Sequence, residues 1–378
     1  MDAAATPPIP RAFQELPDPR SANHRHKLLD ILTIAILAVI CGAEGWSAVA
    51  HYGRSKKDWL ATFLELPAGI PSHDTFERVF SLLDPAAFER CFMAWIASLV
   101  QLGNGQLIAI DGKSLRRSFE NGWDKSGMAH MVSAFVQANH MVFAQVKTDG
   151  KGHELDGIQK LLTVLDLQGL VVTIDALGCN KEIAQMILDG GGDYLLQVKD
   201  NQPTLYAQIQ TLVQEALLED FKGFSFDRDQ TVDGGHGRIE TRRVWVTWNV
   251  EYLGKLAGEW PGLKSIVAVE CTREVNGRIS KEWHYYISSL DRRRKASTFL
   301  AYTRGHWSVE NNLHWQLDVS FNEDQRRIRK GHGAENFSRL CRLALNLLKN
   351  ERTRQAGIAI KRQICGWDNE YLLKVLAG

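Results

Sequence analysis

The sequence contains no apolar segment long enough to cross a membrane. Its longest apolar run, Ile31 to Ala43, falls short of the roughly 20 residues that span a bilayer. That run therefore predicts a buried helix. The first residues lack the basic start and apolar core of a signal peptide. We therefore expect a cytoplasmic protein without membrane contact.

Cysteine is scarce, and its spacing carries no pattern. The six cysteines show neither a CxxC pair nor zinc-type spacing, which predicts free thiols in a reducing compartment. The chain also lacks a GxSxG motif, an evident Ser-His-Asp set and the glycine spacing of nucleotide-binding loops. These absences argue against a disulfide-stabilised secreted domain, a serine hydrolase and a nucleotide-dependent enzyme.

The chain has a formal net charge of only +1, but its charges are segregated. Residues 291–362 contain 16 Lys and Arg against 7 Asp and Glu, so the remainder is net acidic. A basic segment of this kind can mark a surface that binds a polyanion. The more common outcome is a solvated helix surface, and both interpretations stay open.

The hydrophobic pattern predicts an α/β protein with a helical N-terminal region. Residues 24–102 have helical spacing throughout. Further along, helices are predicted at 154–167 and 180–191, and residues 222–290 resemble antiparallel strands. The predicted core strands are 106–111, 130–138, 140–148, 170–175 and 193–199. Their order predicts a mixed sheet with a hairpin meander at one edge and parallel strands in the centre.

These changes in pattern predict a division of the chain into segments. The helical domain could bind DNA, or it could be a cap without a ligand. The predicted segments are a flexible N-terminus (1–20), a helical domain (21–102), a catalytic core (103–221 and 291–350), a β-rich insertion (222–290) and a C-terminal tail (351–378).

Three acidic residues stand out by their positions. Asp111 and Asp175 close the first and fourth predicted strands, and Glu310 lies in a stretch with helical spacing. The carboxyl ends of parallel strands meet at one edge of an open sheet, so we expect the two aspartates to converge. Converging carboxylates repel one another, and Mg²⁺ or Mn²⁺ would relieve that repulsion. The pattern predicts a two-metal site for phosphoryl transfer, with water or a DNA 3′-hydroxyl as the attacking group.

Each acid also has a purely structural interpretation. Asp111 precedes a glycine, as turn aspartates often do, Asp175 could cap a helix, and Glu310 could be an exposed helical glutamate. A second metal hypothesis uses His306, Glu310 and His314, which share one helix face and could bind zinc or iron. No second helix offers matching ligands, so we favour histidines that flank Glu310 or contact phosphate.

Four motifs resemble one family and follow in the same order. They are IDGKSLRRS (110–118), TIDALGCNKEIAQMILDGGGDYLLQVKDNQPTL (173–205), GHGRIETRR (235–243) and HWSVENNLHWQLDVSFNEDQRRIRKGHGAENFSRLCRLALNLLK (306–349). Over residues 12–350, the chain resembles bacterial insertion-sequence transposases of the DDE type. The branch is the one that includes the H-repeat-associated proteins, and the N-terminal helical stretch resembles the domain associated with that branch.

The resemblance implies an RNase H-like core whose catalytic acids fall on Asp111, Asp175 and Glu310. It implies metal-dependent strand cleavage and strand transfer at terminal inverted repeats, with two ions of Mg²⁺ or Mn²⁺ at each site. The implied partners are terminal-repeat and target double-stranded DNA, bound by a homodimer that associates with the nucleoid. Two alternatives stay open: a domesticated transposase-derived DNA-binding protein without cleavage, and a structure-selective RNase H-like nuclease.

Related transposases surround their glutamate with a Tyr-Arg-Glu-Lys signature, which this chain matches in part. Tyr302 and Arg304 precede Glu310 with a different spacing, while His306 stands at the related arginine and Leu317 at the related lysine. Phosphate contacts are therefore assigned from charge. The candidate DNA-binding residues are Lys113, Arg116, Arg117, Lys199, Arg304, His306, Arg326, Arg327, Arg329 and Lys330.

Overall fold

The computed structural model describes residues 13–21, 24–99, 102–119, 128–148, 150–235 and 237–377. Its α-helices, numbered in chain order, are α1 (Leu28–Ile40), α2 (Trp46–Ser55), α3 (Lys57–Leu60), α4 (His73–Leu82), α5 (Pro85–Leu99), α6 (Glu154–Val164), α7 (Lys181–Asp189), α8 (Pro203–Leu218), α9 (Lys255–Glu259), α10 (Ala296–Val309), α11 (Trp315–Val319), α12 (Gly333–Asn350), α13 (Ile358–Trp367) and α14 (Asn369–Ala377). Its strands are β1 (Leu107–Ser114), β2 (His130–Val136), β3 (Met141–Thr148), β4 (Val171–Ile174), β5 (Asp193–Val198), β6 (Asp227–Gly235), β7 (Arg238–Thr247), β8 (Ser265–Val275) and β9 (Arg278–Ser288).

The N-terminal helices pack around α1. Residues Ile31 through Ile40 are all buried, because this helix is apolar on every side rather than along one stripe. It shares a core with α4, α5 and α12. The predicted buried helix is confirmed. Within the described residues, no helix combines the length and apolar character that a membrane span needs.

All nine strands form one sheet, in the order β3-β2-β1-β4-β5-β9-β8-β7-β6. Strands β1, β4 and β5 run parallel, and β2 and β3 form an antiparallel meander at one edge. The predicted mixed sheet is confirmed. The β-rich insertion extends it directly, because β9 pairs with β5 in antiparallel register.

Both faces of the sheet are covered, as parallel strands require. Along β1, Ile108 and Ile110 face the side that carries α6, α7 and α8. Leu107 and Ala109 point to the opposite face, where the core includes residues of α10 and α12. This alternation assigns each residue at the end of β1 to one side of the sheet.

The two chain ends differ from the prediction. Residues 1–12 lie outside the described part, but Phe13 and Leu16, placed in the predicted flexible segment, are 2% and 6% exposed. The ring of Phe13 packs 5.5 Å from that of Phe88. The predicted C-terminal tail instead forms α13 and α14, whose buried residues join the core around α1. Both segments have apolar side chains that the helical domain buries.

The role of α14 in the core can be tested with two neighbouring leucines. Leu372 is fully buried, whereas Leu373 is 37% exposed. Leu372→Ala should lower the free energy of unfolding by about 2–5 kcal/mol, because it leaves a cavity. Leu373→Ala should cost about 0.5 kcal/mol or less. Urea denaturation of both variants measures the difference, and equal costs would show that α14 is not part of the core.

Candidate active site

Asp111 and Asp175 lie at the same edge of the sheet. Parallel pairing of β1 with β4 aligns Ile110 with Ile174, so the aspartates that follow them are neighbours towards the carboxyl ends of the strands. Asp175 directly follows β4, whereas Asp111 does not close its strand as predicted, because β1 pairs with β2 as far as Ser114. Open α/β sheets place their ligands at this edge. The structure therefore brings these two predicted residues together.

Asp175 has both a capping role and a position in the site. Its side chain accepts a hydrogen bond from the backbone N–H of Leu177 at 3.1 Å and caps a short 3₁₀ turn. Burial raises the pKa of Asp175, and the charge of Glu154 raises it further. The turn N–H groups and the charge of Lys199 oppose that rise.

Glu310 begins a π-helical segment, Glu310–His314, that directly follows α10. Such bulges are frequent at functional sites because they re-aim side chains. The carboxylate of Glu310 lies 3.1 Å from Nδ1 of His314, which in turn lies 3.5 Å from Oδ2 of Asp111. The hydrogen bond with His314 is the main reason that the pKa of Glu310 is lowered.

Asp111 is the most perturbed of the three acids. Burial raises its pKa to about 6, and the charges of Asp175 and Glu154 act in the same direction. The opposing influences are the charge of His314 and the N–H of Gly112, which donates to Oδ1 at 2.8 Å. A poorly solvated carboxylate among other acids favours either a proton or a cation.

The cluster of Asp111, Glu310 and His314 has the donor set of a cation site. One ligand atom from each residue lies within 4.8 Å of the others. The Nε2 atom of His314 is buried and has no hydrogen-bond partner. The carboxylates of Asp111 and Glu310 suit Mg²⁺ or Mn²⁺ better than a thiol-preferring metal. A third carboxylate, that of Asp175, directly follows the adjacent strand β4.

His306 does not join this cluster. Its Nδ1 lies 3.1 Å from the hydroxyl of Thr173 on β4, and burial lowers its pKa to about 4. A neutral, buried ring is a poor phosphate contact. The geometry therefore favours neither the His306–Glu310–His314 zinc hypothesis nor DNA contact by His306.

The candidate cations on β1 and after it are engaged by acids. Lys113 Nζ lies 2.7 Å from Asp318 and 3.7 Å from Asp324. Arg116 contacts Asp324 at 3.0 Å, although its side chain is largely exposed. On α10, Arg304 contacts Asp233 at 3.0 Å. These pairs leave less positive charge for DNA than the sequence suggests.

Residues 326–330 separate into interior and surface positions. Arg326 donates to the Phe321 carbonyl, and its guanidinium lies 4.6 Å from the centroid of the Phe337 ring. Arg329 donates to the carbonyl of Arg117 at 3.1 Å. Arg117 is half-buried, and the remaining candidates are solvent-exposed, namely Lys199, Arg327 and Lys330.

Sequence reasoning missed three residues near the acids. The structure brings Ser114, His130 and Glu154 together on the face opposite α10. A signal was available: β3 runs in the same direction as β1, so the helix that follows β3 begins at the edge where β1 ends. An acid in the first turn of that helix comes close to Asp111.

Comparison with known proteins places the chain in a family. The family described as "Transposase DDE domain" matches residues 103–347. The chain belongs to the insertion-sequence DDE transposase family. In DDE transposases this domain implies an RNase H-like core, which here is the β3-β2-β1-β4-β5 part of the sheet. The family described as "DDE_Tnp_1-associated" matches residues 11–96.

Two relatives named as putative transposases cover nearly the whole chain, and a third relative matches a short part of it. The "H repeat-associated putative transposase YhhI" of Escherichia coli (strain K12) is 39% identical over 368 residues, which is 96% of each chain. The "Putative transposase YncI" of Escherichia coli O157:H7 is 39% identical over 366 residues, 96% of this chain and 92% of that one. The "Inactive transposase YbfQ" of strain K12 is 48% identical over 56 residues, 15% of this chain and 67% of that one.

One solved structure is similar at a low level. The "Cryo-EM structure of piggyBac transposase synaptic complex with hairpin DNA" aligns over 96% of this chain and 74% of that chain, with 11% sequence identity and a TM-score of 0.43.

The raised pKa of Asp111 predicts a pH-dependent cost in the metal-free protein. The folded-state value of about 6 exceeds the usual 3.8. The free energy of unfolding therefore falls as the pH rises from 3.8 to about 6, and the full loss is present above that range. Asp111→Asn should raise the free energy of unfolding by up to about 3 kcal/mol at pH 8, and by little at pH 4.

Urea denaturation in EDTA at the two pH values measures this effect. Glu310→Gln is the matched control, because the pKa of Glu310 is lowered, and this substitution should give no gain at pH 8. A stabilisation by Asp111→Asn that is equal at both pH values would contradict the electrostatic explanation.

Proposed function

We propose that this chain is a DNA transposase that cleaves the ends of an insertion sequence at its inverted repeats and joins them to target DNA. One observation carries the proposal. Pairing of two parallel strands brings Asp111 and Asp175 to one edge of the sheet. His314 lies between Asp111 and Glu310, within 3.5 Å and 3.1 Å of their carboxylates, and so links Glu310 to this edge. Membership of the transposase family supports DNA as the substrate class.

The proposed site residues have separate tasks. Asp111 and Asp175 would hold divalent cations from the sheet, and Glu310 would do so from the helix. Two Mg²⁺ or Mn²⁺ ions, when bound, would activate the attacking oxygen and stabilise the leaving oxygen of an in-line displacement. His314 holds the Glu310 carboxylate by a hydrogen bond, which limits its motion before DNA binds.

Cleavage and joining are two displacements at phosphorus with different attacking groups. In cleavage, water attacks the phosphodiester at the element end, and the bond from phosphorus to the 3′ oxygen breaks. In joining, that 3′-hydroxyl attacks a target phosphate and displaces another 3′ oxygen. No protein side chain forms a covalent bond in either step.

The proposed DNA contacts are the exposed cations beside the acid edge. Lys199 directly follows β5 and is close enough to Asp175 for its charge to lower that pKa. Arg327 and Lys330 are exposed on the segment before α12. We propose that a homodimer pairs the two element ends in the cytoplasm, at the nucleoid.

Two alternatives use the same residues differently. A domesticated descendant would bind DNA without cleaving it, and a relative named as an inactive transposase gives reason to test this. A structure-selective nuclease would cut branched DNA but not join ends. The domesticated protein, the nuclease and the transposase would therefore each give a different result with the same labelled DNA.

Removing any one acid should abolish cleavage. With Mg²⁺ and labelled DNA that carries the terminal repeats, Asp111→Asn, Asp175→Asn and Glu310→Gln should each lower nicking and strand transfer by about 10³-fold or more. DNA binding should persist. Asp200→Asn is a suitable control, because Asp200 is exposed near the same edge, and it should keep wild-type activity.

The products distinguish the alternatives. Binding by wild type without any nicking would favour the domesticated protein. Cleavage of branched DNA without joining would favour the nuclease. Nicking that survives all three acid substitutions would show that the site lies elsewhere.

Lys199 should contribute a phosphate contact. Lys199→Gln should weaken DNA binding and reduce the slope of log K against log salt by about 0.9, the contribution of one neutralised phosphate. Lys264→Gln is the control, because Lys264 is exposed at the edge of the sheet opposite Lys199. There its backbone N–H donates a hydrogen bond to the carbonyl of Ser288 at the end of β9. Fluorescence anisotropy at several salt concentrations measures both slopes. Equal slopes for the two variants would exclude the contact.

A further inference from the structure

A fourth acid faces the two aspartates from the other side of the sheet. Glu154 opens α6 and is only 7% exposed. Its charge is among the causes that raise the pKa values of both Asp111 and Asp175. The charge of Glu154 therefore acts on both aspartates from the α6 side of the sheet.

Gly112 leaves room for this acid beside Asp111. A Cβ atom at position 112 would lie 2.4 Å from Oε1 of Glu154 and 2.5 Å from Nε2 of His130. Both distances are far below a normal contact, so a larger residue would push these groups away. The missing side chain allows Glu154 and His130 to approach the backbone next to Asp111.

His130 connects Glu154 to the sheet. Its Nδ1 lies 2.9 Å from the hydroxyl of Ser114, its partner across the β1–β2 pair. Its Nε2 lies 3.2 Å from Oε2 of Glu154 yet makes no hydrogen bond. The histidine is 2% exposed, and a buried ring nitrogen without a partner is costly.

We propose that Glu154 is a fourth carboxylate ligand of the metal centre, beside Asp111 and Asp175, and that His130 and Ser114 are positioning residues that hold it. The proposal rests on the proposed function, since it concerns the same divalent cations. A hard cation such as Mg²⁺ or Mn²⁺ accepts a further oxygen ligand readily. It would also offset the repulsion among three acids at one edge.

The competing explanation is structural. Acids are favourable in the first turn of a helix, and Glu154 could simply pair with His130 there. In that case Glu154 would affect stability without affecting metal affinity. Asp156 lies in the same first turn and is exposed, so it offers a matched control for the effect of the helix terminus.

The decisive experiment is Mn²⁺ binding to the full chain without DNA, measured by isothermal titration calorimetry. Glu154→Gln should weaken Mn²⁺ binding by about tenfold or more, whereas Asp156→Asn should leave it unchanged. Asp111→Asn serves as the reference for loss of a ligand. A folded Glu154→Gln protein with wild-type Mn²⁺ affinity would overturn the proposal.

Two further variants keep the Glu154 carboxylate. Gly112→Ala should displace it, and His130→Gln should leave it poorly held, so each should weaken Mn²⁺ binding by about 10–100-fold. If Glu154→Gln does not fold, wild-type Mn²⁺ affinity in both of these variants overturns the proposal instead.

The outcomes separate this inference from the proposed function. Wild-type protein that binds no Mn²⁺ would contradict both. Weakened binding in Asp111→Asn but not in Glu154→Gln would contradict only the fourth ligand.

Discussion

Parallel pairing of β1 with β4 is the constraint on which the site depends. Their register places Asp111, within β1, next to Asp175, which directly follows β4. Neither aspartate can move away, because apolar side chains on both faces hold the strands. Two poorly solvated carboxylates held in this way repel each other unless a proton or a cation intervenes. The apolar core thus maintains an electrostatic strain that metal binding would relieve.

The charges of the C-terminal third serve the interior as well as the surface. Arg342 is completely buried and pairs with Glu323 at 2.9 Å. Arg339 pairs with Glu89 of the helical domain at 2.6 Å. Buried pairs of this kind are costly to break, so they attach α12 to its neighbours. The excess of basic residues in this segment therefore overstates its positive surface charge.

The mixed sheet could be predicted from the sequence, because its buried strands are short apolar runs rich in β-branched residues. The order of these strands along the chain leaves few possible sheet arrangements. Helix α8 was not predicted, although its buried residues Leu205, Ile209, Leu212, Val213 and Ala216 have helical spacing and a proline stands at its start. His306 was predicted as a site residue because regular helical spacing places it on the same face as Glu310. In the structure its ring contacts Thr173, whereas Glu310 begins the π-helical segment and contacts His314. Glu154 was not predicted as a site residue, because its approach to the backbone beside Asp111 depends on the open space at Gly112.

The central claim is that segments far apart in the chain share one metal centre. Iron-mediated cleavage tests it directly: Fe²⁺ replaces Mg²⁺ in the full protein, and ascorbate with peroxide then cuts the backbone beside the bound ion. Sequencing of the fragments should place the cuts near residues 111, 175 and 310, and excess Mg²⁺ should suppress them. Cuts confined to other segments, or cuts unchanged in Asp111→Asn, would contradict the account.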